Sequence, residues 1–354
     1  MNKRFLKTFY AFLRLVVGLG IIFSIGTRID FSEFQGVLQD CLRQWRWVAA
    51  ALVLAGCILG LGAVRWRLML RACAVPLPSG RLWRIYLIGH FFNAFMLGMA
   101  GGDLVRVFYT ARATGCRKTQ ALGTVLMDRL SGMGMVYLVA GMMMAIHVDL
   151  FRSEWRLHLP ALIMLGMIAG GCLLALLVFN VHRFRRWRVF NMVRRYPRLA
   201  EFMHNLLLAV DVFRQRPLLI LQSSALSLIG QILLVLQCYC LGRSLMLPLG
   251  FFDYLAVIPL IASIAAIPVT PGGLGIREVL AVSMLGALGV PSSRSLPLSL
   301  MIYGSSLAWS LVGGLFFVIY SSSAGHTVRE EVAELHEEVT GETGEAGVAG
   351  AHQQ

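Results

Sequence analysis

Long apolar runs separated by short basic loops set the pattern of this chain. Runs at about 9–25, 48–64, 121–146, 160–179, 217–241 and 298–320 approach or exceed the ~20 residues that a helix needs to cross a bilayer. Two places break the pattern. The segment 85–100 is apolar but short, holds His90 and Asn93, and runs into Gly98-Met99-Ala100-Gly101-Gly102-Asp103-Leu104-Val105-Arg106. The segments 255–268 and 279–290 are each too short to cross ~30 Å of hydrocarbon. Between them lies Val269-Thr270-Pro271-Gly272-Gly273-Leu274-Gly275-Ile276-Arg277-Glu278.

Proline and clustered glycines interrupt a helix, and interrupted backbone is tolerated at membrane depth only inside protein or beside a water-filled cavity. Arg65, Arg67, Arg71, Arg81 and Arg84 precede the first break; Arg106, Arg112, Arg117 and Lys118 follow it. Basic loops face the cytoplasm. The first broken segment therefore enters and leaves on one side, as a re-entrant hairpin. The second, around Pro271, opens to the other side. Each half then holds two spans, a broken hairpin and a third span, at about 5–146 and 160–320. Three crossings invert the second half against the first, the inverted-topology plan of many transporters. The two halves also share Gly-Gly-x-x-x-Arg at Gly101–Arg106 and Gly272–Arg277. The predicted fold is an all-α polytopic membrane protein with about six spanning helices and two re-entrant broken hairpins.

Composition fits that plan: 57% of the residues are hydrophobic and 14% charged, with a mean hydropathy of +0.71. One membrane domain, 1–323, accounts for nearly all of the chain. The run 9–25 lacks a small-residue cleavage pattern after it, so an uncleaved first helix is expected. Lys3, Arg4 and Lys7 before it put the N-terminus in the cytoplasm. The formal charge of +14 is uneven, because Glu330, Glu331, Glu334, Glu337, Glu338, Glu342 and Glu345 crowd the tail 324–354. That tail is expected to be disordered and cytoplasmic. The most basic stretch, Arg183 to Arg198, marks a cytoplasmic loop or an anionic-lipid-binding surface helix. Arginines beside apolar spans speak for the positive-inside rule and lipid headgroups, and against nucleic acid. The seven scattered cysteines read as small buried hydrophobes.

No zinc-protease, P-loop or nucleophile-elbow motif occurs, and no paired aspartates suggest a metal, so neither cofactor nor catalytic group is expected. What remains is a set of charges next to the breaks. Arg106 and Arg277 follow the glycine pairs, and Arg129 lies inside a span, where it needs a cavity or a partner such as Asp128 or Asp103. Guanidinium forks suit phosphate, and the glycines Gly101, Gly102, Gly272 and Gly273 would let backbone N–H groups face a cavity. Asp103 and Glu278 would hold the arginines in place. The same charges would also serve as ion pairs closing helix ends; the residues leave both readings open.

Gly101-Gly102-Asp103-Leu104-Val105-Arg106, Asp128-Arg129-Leu130-Ser131-Gly132 and Pro271 to Glu278 together resemble the signatures of the lysylphosphatidylglycerol synthase transmembrane region, over about 5–322. In two-domain members of that family, the membrane region is associated with moving aminoacylated phospholipid between leaflets, and a soluble domain performs aminoacyl transfer. Only the acidic tail follows the last span here, so lysine transfer is not expected. The resemblance implies a lipid translocase of the inner membrane for an anionic phospholipid or polyprenyl-phosphate-linked lipid. Two other classes stay open: a membrane transferase acting on a lipid phosphate, and a non-catalytic partner of a lipid-modifying enzyme.

Overall fold

The computed structural model describes residues 36, 39–95, 100–179, 215–267 and 275–323. Every regular element among them is helical: α1 (Trp45–Ala72), α2 (Ser79–Phe95), α3 (Ala100–Thr114), α4 (Lys118–Ile146), α5 (Val148–Ser153), a 3-10 turn (Trp155–Leu157), α6 (His158–Phe179), α7 (Pro217–Ser244), α8 (Phe251–Ala265), α9 (Ile276–Ala287) and α10 (Ser292–Ser323). Five stretches are long and apolar enough to cross a membrane: Trp45–Ala72, Lys118–Ile146, Trp155–Leu173, Pro217–Ser244 and Ser292–Tyr320. Their outward faces carry large exposed side chains such as Leu162, Leu165 and Leu173 on α6 and Leu311 and Leu315 on α10. Apolar surface on that scale belongs against lipid. The chain is an all-α, multi-pass membrane protein. The expected first span at 9–25, the basic stretch 183–198 and the tail 324–354 lie outside the described residues.

Helix ends differ from the sequence expectation at the arginines, which the apolar pattern assigns to loops. α1 continues past Val64 to Ala72, so Arg65, Arg67 and Arg71 are helical, and α2 starts at Ser79, taking in Arg81 and Arg84. Arginine is a good helix former, so a basic residue ends the apolar run without ending the helix.

Both short segments are helical hairpins. α2 and α3 pack on each other across 96–99, and α8 and α9 do so across 268–274. In the first hairpin the arms approach closely because Gly89 faces Gly102. A Cβ on Gly102 would collide with the Gly89 carbonyl and the Asn93 side chain. The feet of each hairpin are tied to neighbouring spans. Gln120, in the first turn of α4, donates to the Cys73 carbonyl at the end of α1 (2.6 Å). Arg294, in the first turn of α10, donates to the Leu245 carbonyl at the end of α7 (2.5 Å). The turns that follow α1 and α7 match as well. Ala74 and Met246 both have φ of 55°. Val75 N–H donates to Leu70 O and Leu247 N–H to Gly242 O, each at 2.9 Å.

α1 and α7 pack together and run antiparallel: Trp47 meets Tyr239 edge-on near one end (6.3 Å between ring centroids), and Arg65 reaches Ser227 towards the other (2.9 Å). Arg294 also lies 3.8 Å from Asp40, just before α1 and at the far end of α1 from Cys73. The α2–α3 hairpin therefore has its feet at one end of the bundle and the α8–α9 hairpin at the other. Between them, α2 packs on α10 and α8 on α4. The α2–α10 contact is close because Gly313 leaves room for the Leu87 carbonyl and Gly314 for the Phe91 ring.

Candidate functional site

A cavity of about 420 Å³ opens where the two hairpins approach each other inside the bundle. Arg65 comes from α1, Tyr86, His90 and Asn93 from α2, Arg106 from α3, and Asp128 and Arg129 from α4. The other half supplies Gln237 from α7, Arg277 from α9, and Tyr303 and Ser306 from α10. Ile258, Ile261 and Ala262 of α8 add apolar wall.

Five charged groups of the first half form one alternating chain. Arg65 Nε donates to Asp128 Oδ1 (2.7 Å), and Arg106 Nη2 lies 3.2 Å from Asp128 Oδ2. Arg106 Nη1 lies 3.3 Å from Asp103 Oδ1, and Arg129 binds Asp103 through both Nε (2.8 Å) and Nη2 (3.1 Å). The order is Arg65, Asp128, Arg106, Asp103, Arg129. Such a cluster is tolerable away from water because each carboxylate has two cations, although desolvation offsets much of the attraction.

The middle of the chain is sequestered and its ends are open. The Arg106 guanidinium sits in the corner between Trp66 (4.2 Å to the ring centroid) and Tyr86 (4.8 Å), adding cation–π attraction to its ion pairs. Its side chain is 4% exposed, against 17% for Arg65 and 32% for Arg129. Arg65 also donates through Nη1 to Ser227. Gly132 makes the space for it, since a Cβ there would meet Arg65 Nη1 at 2.8 Å. Ser131 accepts a hydrogen bond from Ser223 across the α4–α7 contact (2.8 Å). Asp128, Arg129, Ser131 and Gly132 thus each have a definite task around Arg65 and Asp103.

The residues singled out from the sequence divide three ways. Arg106, Arg129, Arg277 and Asp128 line the cavity, and Asp103 lies directly behind it on Arg106 and Arg129. Gly101 and Gly102 belong to the first turn of α3; the Gly102 N–H is taken by Asn93 Oδ1 (3.1 Å) instead of facing the cavity, because the glycine is needed for the α2–α3 contact. Glu278 closes the start of α9. It accepts from the Gly275 N–H and from the Ser299 hydroxyl (3.2 Å), in a fully buried position. Gly275 adopts φ of 86°, a conformation that glycine reaches without strain. Arg277 lies over the Tyr303 ring (5.4 Å). Gly272 and Gly273 lie outside the described residues. Sequence reasoning missed Arg65, Tyr86, Gln237 and Tyr303. For Arg65 a signal existed: no proline or glycine separates it from the apolar run before it.

An all-helical bundle with an arginine-rich cavity between two helical hairpins defines an integral, multi-pass membrane protein. The family model for the lysylphosphatidylglycerol synthase TM region matches residues 11–314, and the chain belongs to that family. It is also similar to a UPF0104 membrane protein of Methanothermobacter thermautotrophicus, 23% identical over 277 residues that cover 73% of this chain and 81% of the relative.

Proposed function

We propose that this protein is a lipid translocase, moving a phosphate-bearing anionic lipid between the leaflets of the cell membrane with the headgroup in the cavity and the acyl chains in the bilayer. The observation that carries this reading is the excess of guanidinium groups over carboxylates around one cavity: Arg65, Arg106, Arg129 and Arg277 against Asp103, Asp128 and the Glu278 beside Arg277. Guanidinium is the side chain best suited to phosphate oxygens. Membership in a family named for a lipid synthase's membrane region supports a lipid partner.

The same reading makes each hairpin a re-entrant element and the two halves inverted repeats. It is supported by the matched ties Gln120–Cys73 and Arg294–Leu245, by the matched turns at Ala74 and Met246, and by feet at opposite ends of the bundle. On the positive-inside rule the α2–α3 feet face the cytoplasm, as do both termini. A transferase would need a free carboxylate as base, and Asp103, Asp128 and Glu278 are all engaged. The test is a headgroup-accessibility assay in proteoliposomes containing a fluorescent phosphatidylglycerol. Wild-type protein is expected to expose inner-leaflet label to an impermeant quencher, and Arg129→Ala to slow this about tenfold, the loss of one charged hydrogen-bond donor. Wild-type vesicles that behave like protein-free ones overturn the reading.

A further inference from the structure

We infer that the acidic stretch 324–354 docks on a basic rim of the same chain, the surface where α1, α3 and α10 end and α2, α4 and α7 begin. The interaction lies outside the cavity and stands whatever the cavity carries.

The rim is assembled by contacts at one end of the bundle. Gln120, in the first turn of α4, is bonded to the Cys73 carbonyl at the end of α1. Arg216, just before α7, interacts electrostatically with Cys73. The Tyr320 ring, in the last turn of α10, meets the Tyr109 ring of α3 edge-on at 5.1 Å between centroids. Arg112 follows Tyr109 by three residues, roughly 4.5 Å along the helix axis. The end of α10 and the basic end of α3 are therefore neighbours.

The side chains of this surface share one sign. Arg71, Arg81, Arg84, Arg112, Arg117 and Lys118 are all exposed. Among the described residues of 65–120, 215–222 and 316–323 the one carboxylate is Asp103, which is committed to Arg106 and Arg129. The opposite end of the bundle is mixed: Arg294 lies 3.8 Å from Asp40 there, and Asp149, Glu154 and Asp253 add further negative charge. The positive-inside rule accounts for the sign of the rim but supplies no counter-charge. A surface of one sign repels itself and gains from a polyanion held against it.

Charge and position name the occupant. The chain leaves α10 at Ser323, beside the rim, and then carries Glu330, Glu331, Glu334, Glu337 and Glu338, with Glu342 and Glu345 beyond, against Arg329. Glu330 stands seven residues past Ser323, at most ~25 Å away in an extended chain, so the glutamates reach the ends of α2, α3 and α4. One exposed ion pair is weak and screened by salt. A tethered partner, however, acts at an effective concentration of order millimolar, and several pairs form together. Two rivals exist: anionic lipid headgroups could cover the rim, and the basic stretch 183–198, outside the described residues, could take the glutamates.

Double electron–electron resonance on the full chain in nanodiscs containing phosphatidylglycerol separates these cases. Spin labels are placed on Cys116, between α3 and α4, and on Ala333→Cys, with every other cysteine replaced by serine, so that no charge changes. A narrow distance distribution is expected at low salt. It should broaden about twofold in roughly 1 M sodium chloride, where charges are screened beyond ~3 Å. The combined variant Arg81→Gln, Arg84→Gln, Arg112→Gln, Arg117→Gln should be equally broad at low salt while keeping the melting temperature of its labelled parent. Arg185→Gln with Arg186→Gln should stay narrow. A broad distribution in the parent at low salt overturns the proposal, because headgroups or solvent then hold the rim. A narrow distribution indifferent to high salt overturns it too, since charge is then not what holds the stretch. Narrowness that survives the rim variant and is lost in the Arg185/Arg186 variant overturns the rim as the docking surface.

Discussion

Arg106 illustrates how a residue can be legible as important and misread as to its task. The Gly-Gly-x-x-x-Arg spacing points to it, and it does face the cavity wall. Yet the side chain is the middle of an ion-pair chain, packed into an aromatic corner, where its work is to hold two aspartates apart and in place. Arg106→Met should therefore cost about 3–5 kcal/mol, because it leaves buried carboxylates underpaired. Thermal unfolding in detergent, followed by loss of the monodisperse elution peak, measures this; a melting temperature equal to wild type would contradict the packing described. Arg65 was invisible for a different reason. A positive-inside reading assigns every arginine after an apolar run to the loop, and only the contact with Asp128, sixty-odd residues on, shows otherwise. Long-range pairing of this kind leaves no local pattern in one sequence.

At the level of elements, the spans were legible because their apolar length is a property of each segment alone. Their ends were not, since arginines extend helices as readily as they end them. The hairpins were legible as breaks, but the reason for their close packing was not: Gly89 and Gly102 are thirteen positions apart and meet only once the arms fold together. The glycine pair Gly313-Gly314 carries no arginine and gave no functional signal, yet it seats α10 on α2. Gly313→Leu should destabilise by about 1–3 kcal/mol, since its neighbour is the immovable Leu87 carbonyl. Gly134→Ala, with open space around it, should be neutral by the same thermal assay. Placement of the hairpin feet is open to chemical labelling. In otherwise cysteine-free protein, Cys73 should react with an impermeant maleimide from the cytoplasmic side and Cys41 from the opposite side. Burial raises the pKa of both thiols above the ordinary value. Since the thiolate reacts, labelling should be slow at neutral pH and quicken as pH rises past the usual thiol range. Labelling of both from one side would refute the antiparallel arrangement of the two hairpins.

For the whole molecule, the likeness between the two halves shows in the sequence as a six-residue spacing and an order of elements. The structure adds a closer likeness: Val75-Pro76-Leu77 and Leu247-Pro248-Leu249 follow the ends of α1 and α7 and adopt the same turn with buried side chains at the same places. Proline-containing turns are common enough that three residues carry little weight until the backbone is seen. If the cavity binds as proposed, lipid extracted with the purified protein should be enriched in phosphate-bearing anionic species over the membrane it came from. Mass spectrometry of that extract would show this, and a composition equal to the bulk membrane would count against a headgroup site.

The charges are not shared evenly between the halves. Arg65, Asp128, Arg106, Asp103 and Arg129 all belong to α1, α3 and α4, whereas among the described residues Arg277 is the one cavity arginine brought by the later half. Should the two halves slide along the α1–α7 seam, the five-membered array would travel as one anvil and Arg277 as a single opposing tooth. The ion pairs inside the array would persist through the stroke, while the Arg65–Ser227 bond across that seam would have to break and re-form.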